Sequence, residues 1–336
     1  MMLRFEEDVS LKPYNTFGIE VQTKYFFKVT SASILKEILN QNPTLPIRIL
    51  GGGSNVLFTE NFDGLTLYIA NKGIELVEET QNKVLVEVQA GENWHDFVCW
   101  CLDQNYGGVE NLALIPGSVG ASPIQNIGAY GVELTSVFNY CKALNLKSLE
   151  EERIPKEACE FDYRSSIFKT HQKGNYIITS VCFELQKPPH QYQIDYGPLK
   201  DYFGTSVPSI QEIAKAVISI RESKLPNPKI LGNSGSFFKN PMITQTHFEQ
   251  LLLKYPEIPN YPLDEPLVKI PAAWLIDQLG FKGTQHGAAG VHEKQALVLV
   301  NHGNASGKDI LALAQQIQKA VQEIFEITLE TEVNIL

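Results

Sequence analysis

The first candidate for chemistry in this sequence is a serine in a glycine-rich string. Ser236 lies in residues 232–240 (GNSGSFFKN), directly before two phenylalanines. Most serines in such turns are structural, and the Gly-x-Ser-x-Gly pattern of a serine nucleophile is absent here. The alternative is proton donation, because an alcohol can give its proton to a carbanion or an enolate. That alternative requires a reaction that builds carbanionic character beside a carboxylate.

Two carboxylates near the C-terminus are the next candidates. Alternation of apolar and polar residues over 327–335 predicts a last strand, with Glu330, Glu332 and Asn334 on one face. The two carboxylates would lie about 7 Å apart along that face. Most such faces are simply solvated, but a terminal strand could also deliver Glu332 to a cleft.

Several cationic and aromatic residues could serve an anionic, nucleotide-like ligand. Arg164, Arg221 and Lys224 could be surface residues, or they could hold an anionic substrate. Arginine suits the second role because its guanidinium grips a carboxylate at two points. Packing or exposure is the default for three residues in loop-like surroundings, and nucleotide contacts are the alternative: Tyr196, Tyr261 and Lys269.

Three neutral, glycine-rich segments indicate a large ligand. Residues 115–131 carry no charge, in a chain that is 20% charged. Residues 51–55 (GGGSN) follow a predicted strand, where consecutive amides can form a nest for a pyrophosphate. They match neither the G-x-G-x-x-G fingerprint nor a P-loop, and a plain tight turn is the alternative. Together with residues 232–240, these segments favour a bound nucleotide-like cofactor.

Strands and helices alternate along the chain and must position these residues. Strand patterns cover residues 25–29, 47–50, 65–70, 74–79, 84–90 and 177–185. Helical spacing covers residues 31–40, 94–104 and 306–325, and a further helix that begins with a Ser209–Glu212 capping box. The pattern changes after Pro188-Pro189, which places a domain boundary near residue 205.

The composition excludes several classes of protein. With 336 residues and 43% hydrophobic content, the chain can hold two or three globular modules. A net charge of −10 argues against a nucleic-acid interface, and no apolar run is long enough to cross a bilayer. The cysteines form no C-x-x-C pair and the histidines lack zinc spacing, so we expect reduced thiols and no metal. Residues 1–13 do not resemble a secretory signal, and we expect a cytoplasmic protein.

Seven strings, spread over nearly the whole chain, carry a family resemblance. Residues 110–131 and 232–241 are highly specific, and the others are residues 15–18, 51–58, 163–169, 287–289 and 329–333. They resemble the bacterial UDP-N-acetylenolpyruvoylglucosamine reductase (MurB) family of peptidoglycan synthesis, in its longer, type I form. The resemblance implies an α+β fold: a two-subdomain FAD-binding fold of the vanillyl-alcohol oxidase/p-cresol methylhydroxylase type and an α+β substrate-binding domain. The segments would be residues 1–70 and 71–205 for FAD, 206–325 for substrate, and 326–336 for the last strand.

The resemblance also implies roles for single residues. Ser236 matches the proton donor of the family, and Arg164 and Glu332 match the pair that flanks the enol carboxylate. The FAD contacts would be Gly51, Gly52, Gly53, Ser54, Asn55, Pro116, Gly117, Ser118, Gly120, Ala121, Ser122, Gln125, Asn126, Gly128 and Ala129. The UDP-sugar contacts would be Tyr196, Lys224, Asn240, Tyr261 and Lys269.

The implied reaction is the NADPH-dependent reduction of UDP-N-acetylglucosamine enolpyruvate to UDP-N-acetylmuramate through non-covalent FAD. Hydride addition at the β-carbon would build negative charge at the α-carbon, which Arg164 could stabilise and Ser236 could protonate. Glu332 would hydrogen-bond the enolic carboxyl group or assist the proton transfer. We expect a monomer that binds neither nucleic acid nor membrane.

Two alternatives to the reductase stay open at this point. One is a flavin-dependent oxidase of the same FAD fold that acts on a sugar or an alcohol. Many such oxidases tether the flavin through a histidine or cysteine in the glycine-rich loop, whereas Ser54 follows Gly53 here. The other is a non-catalytic nucleotide-binding module, which would consume no NADPH when the enol ether is added.

Overall fold

A computed structural model describes residues 4–41, 44–262 and 266–336. The strands are β1 Glu6–Ser10, β2 Gln22–Val29, β3 Ile47–Leu50, β4 Val56–Leu57, β5 Phe62–Ile69, β6 Ile74–Glu79, β7 Lys83–Gln89, β8 Gly128–Ala129, β9 Val132–Glu133, β10 Phe138–Asn145, β11 Glu151–Pro155, β12 Tyr176–Gln186, β13 Gly232–Ser236, β14 Met242–Thr244, β15 Tyr261–Pro262, β16 Leu267–Lys269, β17 Gln285–His286, β18 Ala289–Val291, β19 Val298–Asn301 and β20 Asn334–Ile335. The α-helices are α1 Ala32–Asn40, α2 Trp94–Asp103, α3 Gly197–Phe203, α4 Ile210–Lys224, α5 Gln245–Lys254, α6 Ala272–Gln278 and α7 Gly307–Phe325.

The chain divides into two units, each built from several stretches of sequence. The first contains Met1–Val9, Thr23–Gly52 and Phe62–Ser223, and the second contains Ser10–Gln22, Gly53–Asn61 and Lys224–Leu336. The division into segments 1–70, 71–205, 206–325 and 326–336 stays a prediction. Residues 1–3 and 42–43 of the first segment and 263–265 of the third lie outside the described residues.

One sheet of the first unit has the strand order β1-β2-β5-β3. Strands β2, β5 and β3 run parallel, so their connections must cross over the sheet, and α1 forms the crossover between β2 and β3. Helix α1 begins at Ser31, whose side chain accepts a hydrogen bond from the amide of Ile34. Its buried residues Leu35 and Ile38 share a core with Leu65 of β5.

The other main sheet of the first unit is antiparallel, with the order β11-β10-β12-β7-β6. The strand predicted over residues 177–185 lies within β12, and residues 177–183 are buried without interruption. Its side chains enter two cores. Phe183 packs 4.8 Å from Phe97 of α2, centroid to centroid, whereas Ile177 joins the core of α1.

The second unit contains two small antiparallel sheets, with the orders β13-β19-β18-β17 and β14-β16-β15. Strand β20 pairs in parallel with β4. Helix α7 begins with a capping box formed by Ser306 and Asp309. Its buried face, which includes Ile317 and Val321, packs against β18 and β19. These elements hold the segment around Ser236.

The predicted last strand is wrong over most of residues 327–335. Within that range, β20 is the part that pairs as a strand, Thr331 makes an isolated bridge to Phe238, and the chain bends directly afterwards. The alternation nevertheless reports burial, because Ile327 and Leu329 are buried and the residues beside them are exposed. A period of two thus identified the buried side chains but did not establish backbone pairing.

Candidate functional site

The neutral segment 115–131 lies in the first unit and is anchored by hydrogen bonds to the chain around the start of α2. The amides of Val119 and Gly120 each donate to carbonyls of the β7–α2 connection at 2.9 Å. In return, the amide of Trp94 donates to the carbonyl of Gly117 at 3.0 Å. The loop therefore has a defined path, as a ligand cradle requires.

Residues 51 and 52 of the triple glycine approach this loop closely. A Cβ on Gly52 would lie 2.8 Å from the Cα of Gly117, and the amide of Gly52 donates to Ser118 Oγ at 3.3 Å. Gly53 belongs to the second unit, where its φ of +63° and the carbonyl oxygen of Tyr14, 1.9 Å from a would-be Cβ, also require glycine. Two of the predicted cofactor segments thus meet at Gly52.

Several predicted cofactor contacts use their side chains to hold the loop itself. Ser122 Oγ donates to the carbonyl of Val119 at 2.6 Å. The fully buried Asn126 donates from Nδ2 to Glu133 Oε2 at 2.8 Å and accepts at Oδ1 from the amide of Thr135 at 3.0 Å. Because these side chains are already hydrogen-bonded within the protein, a ligand bound at the loop would contact mainly the loop backbone and its small side chains.

Arg164 lies against the same loop. Its Nη2 donates to the carbonyl of Gly128 at 2.6 Å, and its Nη1 lies 3.6 Å from Glu133 Oε1. Its side chain is only 17% exposed, and its backbone has a left-handed φ of 53°. The structure therefore places this predicted catalytic cation beside the predicted cofactor loop, within one unit.

Arg221, for which the sequence analysis left a surface role and a binding role open, lies in the same unit. Arg221 lies on the same helical face of α4 as the buried Val217, four residues later, and is itself partly buried. Its Nε is buried and, among the described residues, has no hydrogen-bond partner. Burial lowers the pKa of Arg221, and its charge acts on the pKa of Tyr130 and of His95. The helical spacing could have identified this arginine as inward-facing.

Ser236 and Glu332 come together in the second unit. The amide of Glu332 donates to the carbonyl of Phe237 at 2.8 Å, and Ser236 pairs with Val298 of β19. The segment around Ser236 is therefore held on two sides. Over the described ranges, the Ser236 hydroxyl has no hydrogen-bond partner of its own. Its proton is not committed to another group.

The predicted UDP-sugar contacts lie on both units, and the description of two of them as loop residues is wrong. Tyr261 lies on β15 and Lys269 on β16, paired across the strands with the ammonium 5.9 Å from the ring centroid. Asn240 accepts at Oδ1 from the amide of Ala272 at 3.0 Å and so holds the start of α6. Lys224 is exposed at the end of α4.

Tyr196 belongs to the first unit. It precedes α3, is 44% exposed, and makes an edge contact with Tyr130 at a centroid distance of 6.3 Å. This contact places it beside the end of the neutral loop.

Comparisons with known proteins decide the family. Residues 227–336 match the family model described as UDP-N-acetylenolpyruvoylglucosamine reductase, C-terminal domain. A UDP-N-acetylenolpyruvoylglucosamine reductase of Flavobacterium johnsoniae is 49% identical, over 99% of this chain and 100% of its own length. The enzyme of that name from Pseudomonas fluorescens is 44% identical over the full length of both chains. The chain belongs to the UDP-N-acetylenolpyruvoylglucosamine reductase family.

Two further findings concern the fold and the cofactor. Residues 23–148 match the model of an FAD binding domain. The crystal structure of the reductase from Thermus caldophilus superposes with a TM-score of 0.70 at 23% identity, over 99% of each chain. The predicted family and the α+β FAD-binding fold are confirmed, and so is FAD as the cofactor.

The residues of the first unit fit FAD. A Cβ on Gly51 would meet Ser118 Oγ at 2.7 Å and one on Gly52 would meet the Gly117 backbone at 2.8 Å, so glycine at both positions lets the turn pack closely on the neutral loop. The guanidinium of Arg221 has no acidic partner in the described part of the chain, and a buried cation favours an anionic ligand. Within the described residues, no group of acidic, histidine or cysteine side chains could hold a metal. No helix among them is long and apolar enough to span a membrane.

Proposed function

We propose that this chain uses NADPH and bound FAD to reduce UDP-N-acetylglucosamine enolpyruvate to UDP-N-acetylmuramate, a step of peptidoglycan synthesis. The observation that carries the proposal lies in the second unit: Ser236, whose hydroxyl has no partner in the described structure, directly precedes Phe237, whose carbonyl accepts from the amide of Glu332. The first unit of the same chain holds the FAD-binding domain. A reductase needs a proton donor as well as a redox cofactor, and this family member has candidates for both.

The residues that would hold FAD are those of the neutral loop and the glycine turn: Gly51, Gly52, Gly53, Ser54, Asn55, Pro116, Gly117, Ser118, Gly120, Ala121, Ser122, Gln125, Asn126, Gly128 and Ala129. Bound there, FAD would supply hydride transfer from NADPH to the β-carbon of the enol ether. The loop contributes a fixed backbone, because its own hydrogen bonds already order it. A preordered loop loses little conformational entropy on binding.

Arg164 would stabilise the charge that develops on the substrate. Hydride arrival at the β-carbon leaves negative charge at the α-carbon and its carboxylate, and a preorganised guanidinium lowers the energy of that charge. The carbonyl of Gly128 and the carboxylate of Glu133 hold the guanidinium in place. These contacts place the guanidinium beside the neutral loop.

Ser236 would donate the proton to the α-carbon, since its hydroxyl makes no competing hydrogen bond in the described structure. Glu332 would bind the enolic carboxyl group or assist that proton transfer. The conformation of its backbone is fixed by the bond to Phe237. Tyr196, Lys224, Asn240, Tyr261 and Lys269 would contact the UDP-sugar.

An anaerobic titration tests the proposal. NADPH should bleach the flavin absorbance of the purified holoprotein, and UDP-N-acetylglucosamine enolpyruvate should then restore it in stoichiometric amount. The oxidase alternative predicts recovery with oxygen after reduction by a sugar or alcohol, and flavin that stays in the acid precipitate. Bleaching by NADPH without recovery on adding the enol ether would disprove the reductase. The monomeric state and the cytoplasmic location stay proposals, to be tested by light scattering and by cell fractionation.

A further inference from the structure

His95, the second residue of α2, contacts the chain directly before the neutral loop. Its Nδ1 accepts a hydrogen bond from the amide of Leu114 at 3.0 Å. Leu114 has a left-handed φ of 60°, a conformation that costs a branched side chain energy and needs outside support. The hydrogen bond that Leu114 donates to His95 supplies such support at the residue before Ile115, where the loop begins.

Trp94 and His95, the first two residues of α2, make three hydrogen bonds to residues 112–117. Of these three, the bond that His95 accepts is the one that involves a group able to titrate near neutral pH. The Trp94 amide donates to the carbonyl of Gly117 at 3.0 Å, and its indole Nε1 donates to the carbonyl of Leu112 at 2.9 Å. Neither group changes charge near neutral pH. Nδ1 of His95 can accept only while it is unprotonated, which puts the single ring proton of the neutral form on Nε2.

The groups around the ring favour its neutral form. Cys99 Sγ lies 3.8 Å from Nε2, and the charged groups that face the ring are Asp96 of α2 and Arg221 of α4. Burial is the main cause that lowers the pKa of His95 below 6.5, Asp96 opposes it, and Arg221 adds to it. Above pH 6.5 the acceptor is therefore present in the folded protein.

We infer that His95 is a positioning residue for FAD, and that acid releases the loop from this anchor. A proton on Nδ1 replaces the acceptor with a donor that faces the Leu114 amide, and it adds a charge close to Arg221. The loop then loses its support at Leu114 and binds FAD more weakly. The inference rests on the FAD site of the proposed function and adds a pH dependence to it.

Protonation of His95 should weaken folding and FAD binding alike. The folded form of His95 has a lowered pKa, so its contribution to stability is fully present above the unfolded value of 6.5. That contribution is lost as the pH falls from 6.5 towards the lower, folded value. FAD binds the folded protein, so its affinity should be constant while His95 is neutral there and should fall as the pH drops through the lowered, folded pKa of His95.

The experiment measures the dissociation constant of FAD by recovery of flavin fluorescence, between about pH 8 and about pH 5. We expect the wild-type protein to lose affinity on the acid side. His95→Asn keeps an acceptor close to the position of Nδ1 but cannot titrate, so its profile should be flat. His95→Ala should bind about tenfold more weakly than the wild type near pH 8, the effect of one lost hydrogen bond, and its profile should also be flat.

His292→Asn is the matched control. His292 also accepts a backbone amide at Nδ1, from Lys294 at 3.4 Å, and burial also lowers its pKa, but it belongs to the second unit. Its variant should keep the wild-type acid loss. Thermal unfolding of each protein at each pH separates loss of FAD from loss of the fold.

Two outcomes would overturn the inference. A wild-type affinity that is constant down to about pH 5 would do so and leave the proposed function intact. So would an acid loss in His95→Asn equal to that of the wild type. Absence of FAD binding at about pH 8 would contradict the proposed function as well.

Discussion

The two glycine-rich segments 115–131 and 232–240 look alike in sequence but use their polar side chains differently. In the first, the buried Ser122 and Asn126 are hydrogen-bonded within the loop region. In the second, within the part of the chain that the structure describes, the hydroxyls of Ser234 and Ser236 have no partner. The turn is held by Asn233, which accepts at Oδ1 from the amide of Gly235 at 3.0 Å and donates from Nδ2 to the carbonyls of Pro226 and Leu231.

This difference in hydrogen bonding fits two different functions, cofactor binding and proton transfer. A loop that cradles a cofactor gains affinity from being ordered in advance, because ordering on binding costs free energy. A residue that transfers a proton must keep its hydrogen available to the substrate. Glycine and serine in a neutral segment are thus compatible with either task, and the hydrogen bonds of the folded chain distinguish them.

The largest effect is expected at Ser236. In Ser236→Ala, NADPH should still reduce the flavin, while reoxidation by the enol ether should slow by about 10²- to 10⁴-fold, the range for a lost proton donor. Stopped-flow absorbance of the two half-reactions measures this. Ser234→Ala, two residues earlier, is the control and should retain both rates. Equal slowing of both half-reactions in Ser236→Ala would indicate structural damage instead.

Glycine substitutions test whether close backbone approach matters where Gly52 packs on the first segment, and whether only backbone conformation matters at Gly235 of the second. A Cβ at Gly52 meets the Gly117 backbone at 2.8 Å, whereas a Cβ at Gly235 meets nothing within 4 Å and has only a φ of +70° to oppose it. Gly52→Ala should cost about 2–3 kcal/mol and weaken FAD binding. Gly235→Ala should cost about 1 kcal/mol with unchanged FAD affinity. Urea unfolding and flavin fluorescence measure both, and equal costs would contradict the comparison.

Most elements could be predicted from sequence because their signals are local. The strand before the triple glycine, helix α2 and the Ser209–Glu212 capping box all lie where spacing and capping residues indicated. The last strand could not be predicted, because alternation at Ile327 and Leu329 reports burial, while pairing depends on a distant partner. Short strands such as β15 and β16 carry too few residues for a pattern.

The predicted cofactor contacts come largely from the long motif in residues 110–131, and they stay predictions. The burial of Arg221 was not predicted, because a cation in the last turn of a helix is usually solvated and suits the dipole. Its alignment with the buried Val217 was present in the sequence. The sequence could not show that the guanidinium of Arg221 has no acidic partner among the described residues, because that depends on which side chains the fold brings near it.

A substitution at Asn126 tests whether the first segment depends on its internal bonds. In Asn126→Asp, the amide donor to Glu133 Oε2 at 2.8 Å is replaced by a carboxylate, so two acceptors of like charge face each other. The stability of the protein should fall by about 1–3 kcal/mol, and FAD binding should weaken with it. Urea unfolding at neutral pH gives the free energy. An unchanged midpoint would mean that the loop is ordered by its backbone alone.

The smallest effects are expected for two buried serines, one from each segment. Ser122 Oγ donates to the Val119 carbonyl at 2.6 Å, so Ser122→Ala should lose about 1 kcal/mol of stability. Ser234 Oγ is buried without a partner among the described residues, so removing it also removes a desolvation cost. Ser234→Ala should be neutral or more stable by up to about 1 kcal/mol. Thermal unfolding of the two variants measures both changes in stability. If Ser234→Ala lost as much stability as Ser122→Ala, the hydroxyls would hold the second segment as well.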